Sequence, residues 1–396
     1  MLELIRELYE IISSSKQLFK IVQLVPADVP SNTGSEAFSL HSEGDTLDIG
    51  LTKKTYLKLF KESHTYWHNN IASDNVDYND LANSCDIQTL WNLYFMTVGF
   101  LITTNENHTI VALHETVCFR IIQEEDSEFL SKEFDLITSF LSCRLKRINK
   151  SSSLWRWTKK LTISLIFDPL LKKHRKEEAI VSITNNLVER TFKSCQIHFA
   201  NYYGTSFLRW FLTMLAVLQN HDQPEIRVFA STTIRGICEK LLKACHNNIR
   251  DCSLWGIIEV LISGSTNGIA VGYIMEEYNA IVEDINSKSR LKLDPISQGE
   301  IPQTNPTIRV TIDVETEVKW LLDVDCSLRT PFSSLIRQYS GGPEGKGETE
   351  TFKTLFLEKK EKIRLLLNKL EVSSDLAEKN RELDKVLEWV IRTYFN

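Results

Sequence analysis

The sequence has 396 residues, 42% hydrophobic and 25% charged, a globular composition with apolar material for a large core or a long solenoid of smaller ones. With 15 glycines and 9 prolines it is short of the turns that a β-sandwich or barrel demands, so helices are expected. A net charge of −6 and a pI near 5.9 exclude a chain-wide phosphate-coating role, and no nucleic-acid partner is expected.

Taken in chain order, the start (Leu2, Leu4, Ile5 with Glu3, Arg6, Glu7) reads as an amphipathic helix rather than a secretory signal. A short extended piece is expected around 19–25, a polar stretch at 31–46 and a helix near 55–69, together forming an N-terminal helical extension over 1–85. His64 and His68 fall on one face of that helix, but without a third ligand they carry no metal site.

From 86 to 286 long helical patterns are cut by short polar breaks. One pair joins 89–101 to 109–122 across Thr104-Asn105-Glu106-Asn107-His108. A second carries the stripe Leu130, Phe134, Ile137, Leu141, Leu145, Ile148, breaks at 149–153, and resumes at Leu154, Trp157, Leu161 and Leu165 before Asp168-Pro169. A third runs through Ile180, Ile183 and Leu187, breaks at 200–204 and continues through Phe207, Phe211, Met214 and Leu218. A fourth starts at Pro224, which suits a first helical turn, breaks at 248–251 and resumes at Ser253-Leu254-Trp255. Aligned on these breaks, Val111, Trp155, Thr205 and Trp255 stand 44, 50 and 50 residues apart, the spacing of helix-pair repeats that bury one face against the next. The expected fold is therefore all-α, an α-α superhelix of antiparallel helix-hairpin repeats.

Residues 287–312, with Pro295, Pro302 and Pro306, read as a linker. A C-terminal helical region follows over 313–396, with a helix at 313–325, a flexible Gly-rich loop at 340–350, and charged amphipathic helices at 352–370 and 375–394.

Chemistry is sparse. There is no Walker loop, GxSxG elbow or HExxH pair, and Gly264-Ser265-Thr266-Asn267-Gly268 reads as a helix-to-helix turn. The basic run Lys172-Lys173-His174-Arg175-Lys176 reads as a solvated helix start. Eight cysteines without a CxxC pair suit reduced thiols in a core, and no apolar run approaches the roughly twenty residues needed to cross a bilayer. A cytoplasmic protein without a membrane span or a C-terminal prenylation cysteine is expected.

Lys150-Ser151-Ser152-Ser153-Leu154-Trp155-Arg156-Trp157, Ala200-Asn201-Tyr202-Tyr203 with Arg209-Trp210, and Arg250-Asp251-Cys252-Ser253-Leu254-Trp255 resemble successive copies of the protein prenyltransferase alpha-subunit repeat. Asn107-His108-Thr109-Ile110-Val111 is a weaker first copy. The order of the turns, and the upstream Leu24-Val25-Pro26, is most similar to the repeat-containing alpha subunit of type III geranylgeranyltransferase, in a divergent fungal form whose counterpart is named for an extracellular-mutant, cell-wall phenotype. The resemblance covers about residues 20–285.

It implies a non-zinc alpha subunit of a heterodimeric protein geranylgeranyltransferase. A separate beta subunit would hold the zinc, with an isoprenoid diphosphate and a protein substrate as the other partners; no cofactor is expected in this chain. By register Lys150 takes the place of the family's rim lysine, where a cation steadies charge on the departing diphosphate. A solvated lysine in a helix-capping turn is the alternative. Asn201, Tyr202 and Tyr203 match the family's Asn-Tyr-His turn facing the isoprenoid diphosphate, with Tyr203 in place of His. Arg250 matches a basic position at the next turn. Thr205 and Val111 stand where Trp is the rule, and Trp157-Thr158, Phe207-Leu208 and Ile257-Ile258 replace His-Arg. The second reading is a non-catalytic helical-repeat scaffold, acting in trafficking or cell-wall biogenesis.

Overall fold

A computed structural model describes residues 2–27, 37–71, 81–82, 84–104, 106–124, 128–172, 177–263, 268–289, 291–296, 312–340, 346–369 and 374–395. These residues are mostly helical and divide into two compact units, 1–211 with 272–301 and 212–271 with 302–396.

The first unit opens with helix Glu3–Ser14, whose Ile5, Leu8 and Ile12 form a fully buried stripe at helical spacing. The expected extended piece is strand β1, Phe19–Leu24. The polar stretch after it corrects the all-α expectation, because it ends in β2, Phe38–Glu43, and leads into β3, Thr46–Leu51. The sheet order is β1-β3-β2: Phe19 pairs in parallel with Thr46, and Phe38 pairs antiparallel with Leu51. Gly44, at φ +54, supplies the left-handed residue that the tight β2–β3 hairpin requires. The sequence signal was weak because only Phe38 of β2 is buried, so its alternation is nearly invisible.

The sheet docks on the helical part through polar anchors. Arg144 donates its backbone N–H to Val22 O at 3.0 Å, Lys20 Nζ reaches Asp135 at 3.3 Å, and Arg190 donates to Leu18 O at 2.8 Å.

The expected helices are present as Ile87–Thr104, His108–Glu124, Glu128–Leu141, Ser152–Thr162, Glu177–Ile197 and Tyr202–Leu218. Two boundaries differ from expectation. The stripe through Ile148 is split, helix Glu128–Leu141 being followed by the separate short turn Lys146–Asn149. The next helix passes through Asp168-Pro169 instead of ending there. A π-turn over Ile163–Phe167, closed by Asp168 N–H to Ile163 O, widens the backbone just ahead of the proline, which has no N–H to offer, and helix Asp168–Lys172 follows.

The second unit holds helix Pro224–Asn247, with proline in its first turn as expected, Cys252–Ser263, Val314–Asp323, Arg329–Ile336, Lys346–Leu367 and Asp375–Tyr394. Leu241, Trp255, Ile258, Leu321, Phe332, Phe356 and Leu387 make its core. Of the expected flexible loop at 340–350, residues 341–345 lie outside the described residues and the remainder from Lys346 is helical. Most of the 287–312 linker, residues 264–267 of the Gly264–Gly268 turn and residues 173–176 of the basic run also lie outside them. Among the described residues no helix is long and apolar enough to cross a membrane.

Candidate functional site

The turns flagged in the sequence share one local construction. Asn107 Oδ1 accepts from the backbone N–H groups of Thr109 and Ile110, and Ser151 Oγ from Leu154 N–H at 3.3 Å. Asn201 Oδ1 accepts from Gly204 N–H at 3.2 Å, and Asp251 Oδ1 from Ser253 N–H at 3.0 Å. Each side chain thus satisfies donors that the first turn of a helix leaves open. Each capping residue also stands four before a register position, Val111, Trp155, Thr205 or Trp255, and its carbonyl accepts that residue's N–H. The indoles of Trp155 and Trp255 both donate to the carbonyl six residues back, Asn149 O at 3.0 Å and Ile249 O at 3.1 Å.

In the first unit the turns at 150 and 201 are tied together. Asn201 is fully buried, and its amide donates to Asn149 Oδ1 at 2.8 Å and to Ser194 Oγ at 3.0 Å. Asn149 donates onward to Leu141 O at 2.6 Å. Lys150 Nζ donates to Phe199 O at 2.7 Å and Ala200 O at 3.0 Å, covering carbonyls just past the end of helix Glu177–Ile197, where Ala200 adopts φ +52. Burial, and next the Lys150 ammonium, hold the neighbouring His198 imidazole below its usual range. Gly204 permits close approach here, since a Cβ would meet Cys195 Sγ at 3.0 Å and the Trp155 ring at 3.2 Å.

Tyr202 and Tyr203 point outward, 57% and 47% exposed, from the start of helix Tyr202–Leu218. Arg250, in the second unit, is exposed beside the buried Asp251 cap. Lys150, Asn201, Tyr202 and Tyr203 are therefore brought to one turn region, split between buried frame and exposed face. His64 and His68 are exposed and stacked, with ring centroids 6.5 Å apart.

A second cluster in the first unit escaped the sequence reading. Glu133, fully buried, accepts from Tyr94 Oη at 2.6 Å and Trp157 Nε1 at 2.8 Å, and its Oε1 lies 2.9 Å from His114 Nε2. Thr97 Oγ1 donates to Tyr94 O and lies 2.8 Å from His114 Nδ1, so each imidazole nitrogen has a polar partner. Burial opposes the Glu133 charge, but His114 and then the Tyr94 and Trp157 hydrogen bonds outweigh it and hold the carboxyl below the usual carboxylate range. Burial, reinforced by the Glu133 carboxylate, pushes the Tyr94 hydroxyl and the Cys118 thiol well up. The available signal was a carboxylate on an apolar stripe: Glu133 sits three residues after Leu130 and four before Ile137.

An open cleft of about 410 Å³ is walled by Tyr9, Trp91, Phe95 and Phe129, with Arg6 and Lys132 also lining it. None of Lys150, Asn201, Tyr202, Tyr203 and Arg250 lines it.

Residues 1–142 match the ECM9 N-terminal domain and residues 154–285 the ECM9 middle domain. The chain belongs to the ECM9 family. A relative named Protein ECM9, from Saccharomyces cerevisiae, is 28% identical over 265 residues, which cover 66% of this chain and 60% of the relative. This ECM9-family chain thus aligns with under two thirds of that relative's length. No solved structure matches it. The two ECM9 domain matches meet across residues 143–153, the segment that holds Asn149, Lys150 and Ser151.

Proposed function

We propose that this chain is the alpha-type, non-zinc subunit of a heterodimeric protein geranylgeranyltransferase, lending a cytoplasmic beta subunit its helical frame and partner contacts rather than reacting groups. The carrying observation is the set of four helix caps at 107, 151, 201 and 251, which follow the 44-, 50- and 50-residue spacing and support a superhelix of helix-pair repeats. In this reading Lys150 and Asn201 hold the turns. The exposed Tyr202, Tyr203 and Arg250 meet the beta subunit, the protein substrate or the isoprenoid diphosphate. The zinc belongs to the beta subunit. Co-purification from the native host, followed by mass spectrometry and a geranylgeranyl-transfer assay, tests this: a beta-type subunit in the complex is expected, and recovery without one overturns it.

One observation favours a second reading. Lys150 and Asn201 are committed to backbone and amide partners, which suits a helical-repeat scaffold without catalysis, serving trafficking or cell-wall biogenesis. It predicts protein partners but no stimulation of prenyl transfer.

A further inference from the structure

We propose that His114, Cys118 and Glu133 form a zinc-class metal site enclosed in the first unit, independent of the turn residues above. His114 and Cys118 lie one turn apart on helix His108–Glu124, and Glu133 faces them from Glu128–Leu141. Cys118 Sγ is 3.5 Å and Glu133 Oε1 2.9 Å from His114 Nε2, and the three donor atoms all lie within 4.8 Å of one another. Ligands on a tetrahedral zinc with bonds of about 2.0–2.3 Å stand roughly 3.3–3.7 Å apart; the Cys118–His114 separation already falls in that range, and the hydrogen-bonded Glu133–His114 pair, which is tighter, opens slightly as the ion enters. A nitrogen, a sulfur and an oxygen donor suit zinc or its spectroscopic substitute cobalt(II), and not calcium or magnesium, which take oxygen shells.

The groups behind the donors complete the case. Ligating imidazoles and carboxylates characteristically hand their remaining polar atoms to fixed partners. Here His114 Nδ1 has Thr97 Oγ1 at 2.8 Å, Glu133 Oε2 has the Tyr94 hydroxyl at 2.6 Å, and Glu133 Oε1 has the Trp157 indole at 2.8 Å. Charge also balances. The Cys118 thiol gives up its proton on binding, and the resulting thiolate and the Glu133 carboxylate together neutralise the ion's two positive charges. Three protein ligands leave the fourth position to a water molecule. Because all three side chains are buried, the ion enters as the chain folds.

The full chain should therefore be expressed in cobalt-supplemented minimal medium, purified and assayed for metal content and absorption. About one cobalt per chain and a thiolate-to-cobalt charge-transfer band are expected. Cys118→Ser should abolish the band and most of the metal, whereas Cys252→Ser, at an exposed cysteine of the second unit, should change neither. Thr97→Val should weaken retention against a chelator roughly 10–100-fold. Wild-type protein holding no more than a trace of cobalt overturns the proposal even if Cys118→Ser fails to fold, as does a band that survives Cys118→Ser.

Discussion

Two buried polar clusters in the first unit hold neighbouring helices by opposite chemistry. Around Asn201 the groups are neutral amides and hydroxyls, each matched to a backbone or amide partner, and the single cation, Lys150, sits at the edge on two carbonyls. Around Glu133 a carboxylate is sealed among an imidazole, an indole and a phenol. The neutral cluster positions turns. The charged one is costly to disturb, because removing one member strands another without solvent.

That contrast is open to test, beginning with the largest expected effect. Glu133→Ala strands the donors of Tyr94, Trp157 and His114 and should cost about 3–5 kcal/mol in urea unfolding followed by tryptophan fluorescence. Asn201→Ala removes a helix cap and two amide hydrogen bonds, and about 2 kcal/mol is expected by the same measurement. Combined with Asn149→Ala it should cost less than the sum of the single changes, since the two share a bond.

A pH series separates charged anchors from neutral ones. Burial raises the Asp135 carboxyl, but Arg190 and then Lys20 more than offset it and hold it below the usual range, the same direction as Glu133. Both carboxylates therefore contribute stability that is full above the unfolded carboxylate range, about pH 4, and lost as pH falls through their lower folded values. Unfolding midpoints should drop on acidification below about pH 4, and Asp135→Asn should flatten that slope.

Lys150→Ala removes two partly exposed, charge-assisted hydrogen bonds. About 1 kcal/mol of stability should be lost, with prenyl transfer by any assembled complex unchanged; a fall in transfer with the complex intact would move Lys150 from frame to chemistry. Tyr203→Ala should shift stability by under about 0.5 kcal/mol while reducing recovery of a partner subunit, so equal recovery would place the interface elsewhere.

Helix periodicity made the helices legible, and polar residues made the breaks at 104–108, 149–153, 200–204 and 248–251 legible, because both are local features of sequence. The sheet was half legible: β1 is an apolar run, whereas β2 hides its pattern by burying only Phe38. Lys150 illustrates the limit of register. What its ammonium bonds depends on Phe199 and Ala200, 49 and 50 residues away. Glu133 was illegible for the same reason, since its partners come from three other helices.

The wide turn at Ile163–Phe167 marks where this helix carries one residue more than a regular α-helix would hold in the same length. Downstream, Phe167 and Leu170 keep their place in the core. The extra residue is thus taken up by a local widening of the backbone rather than by expelling apolar side chains from the core.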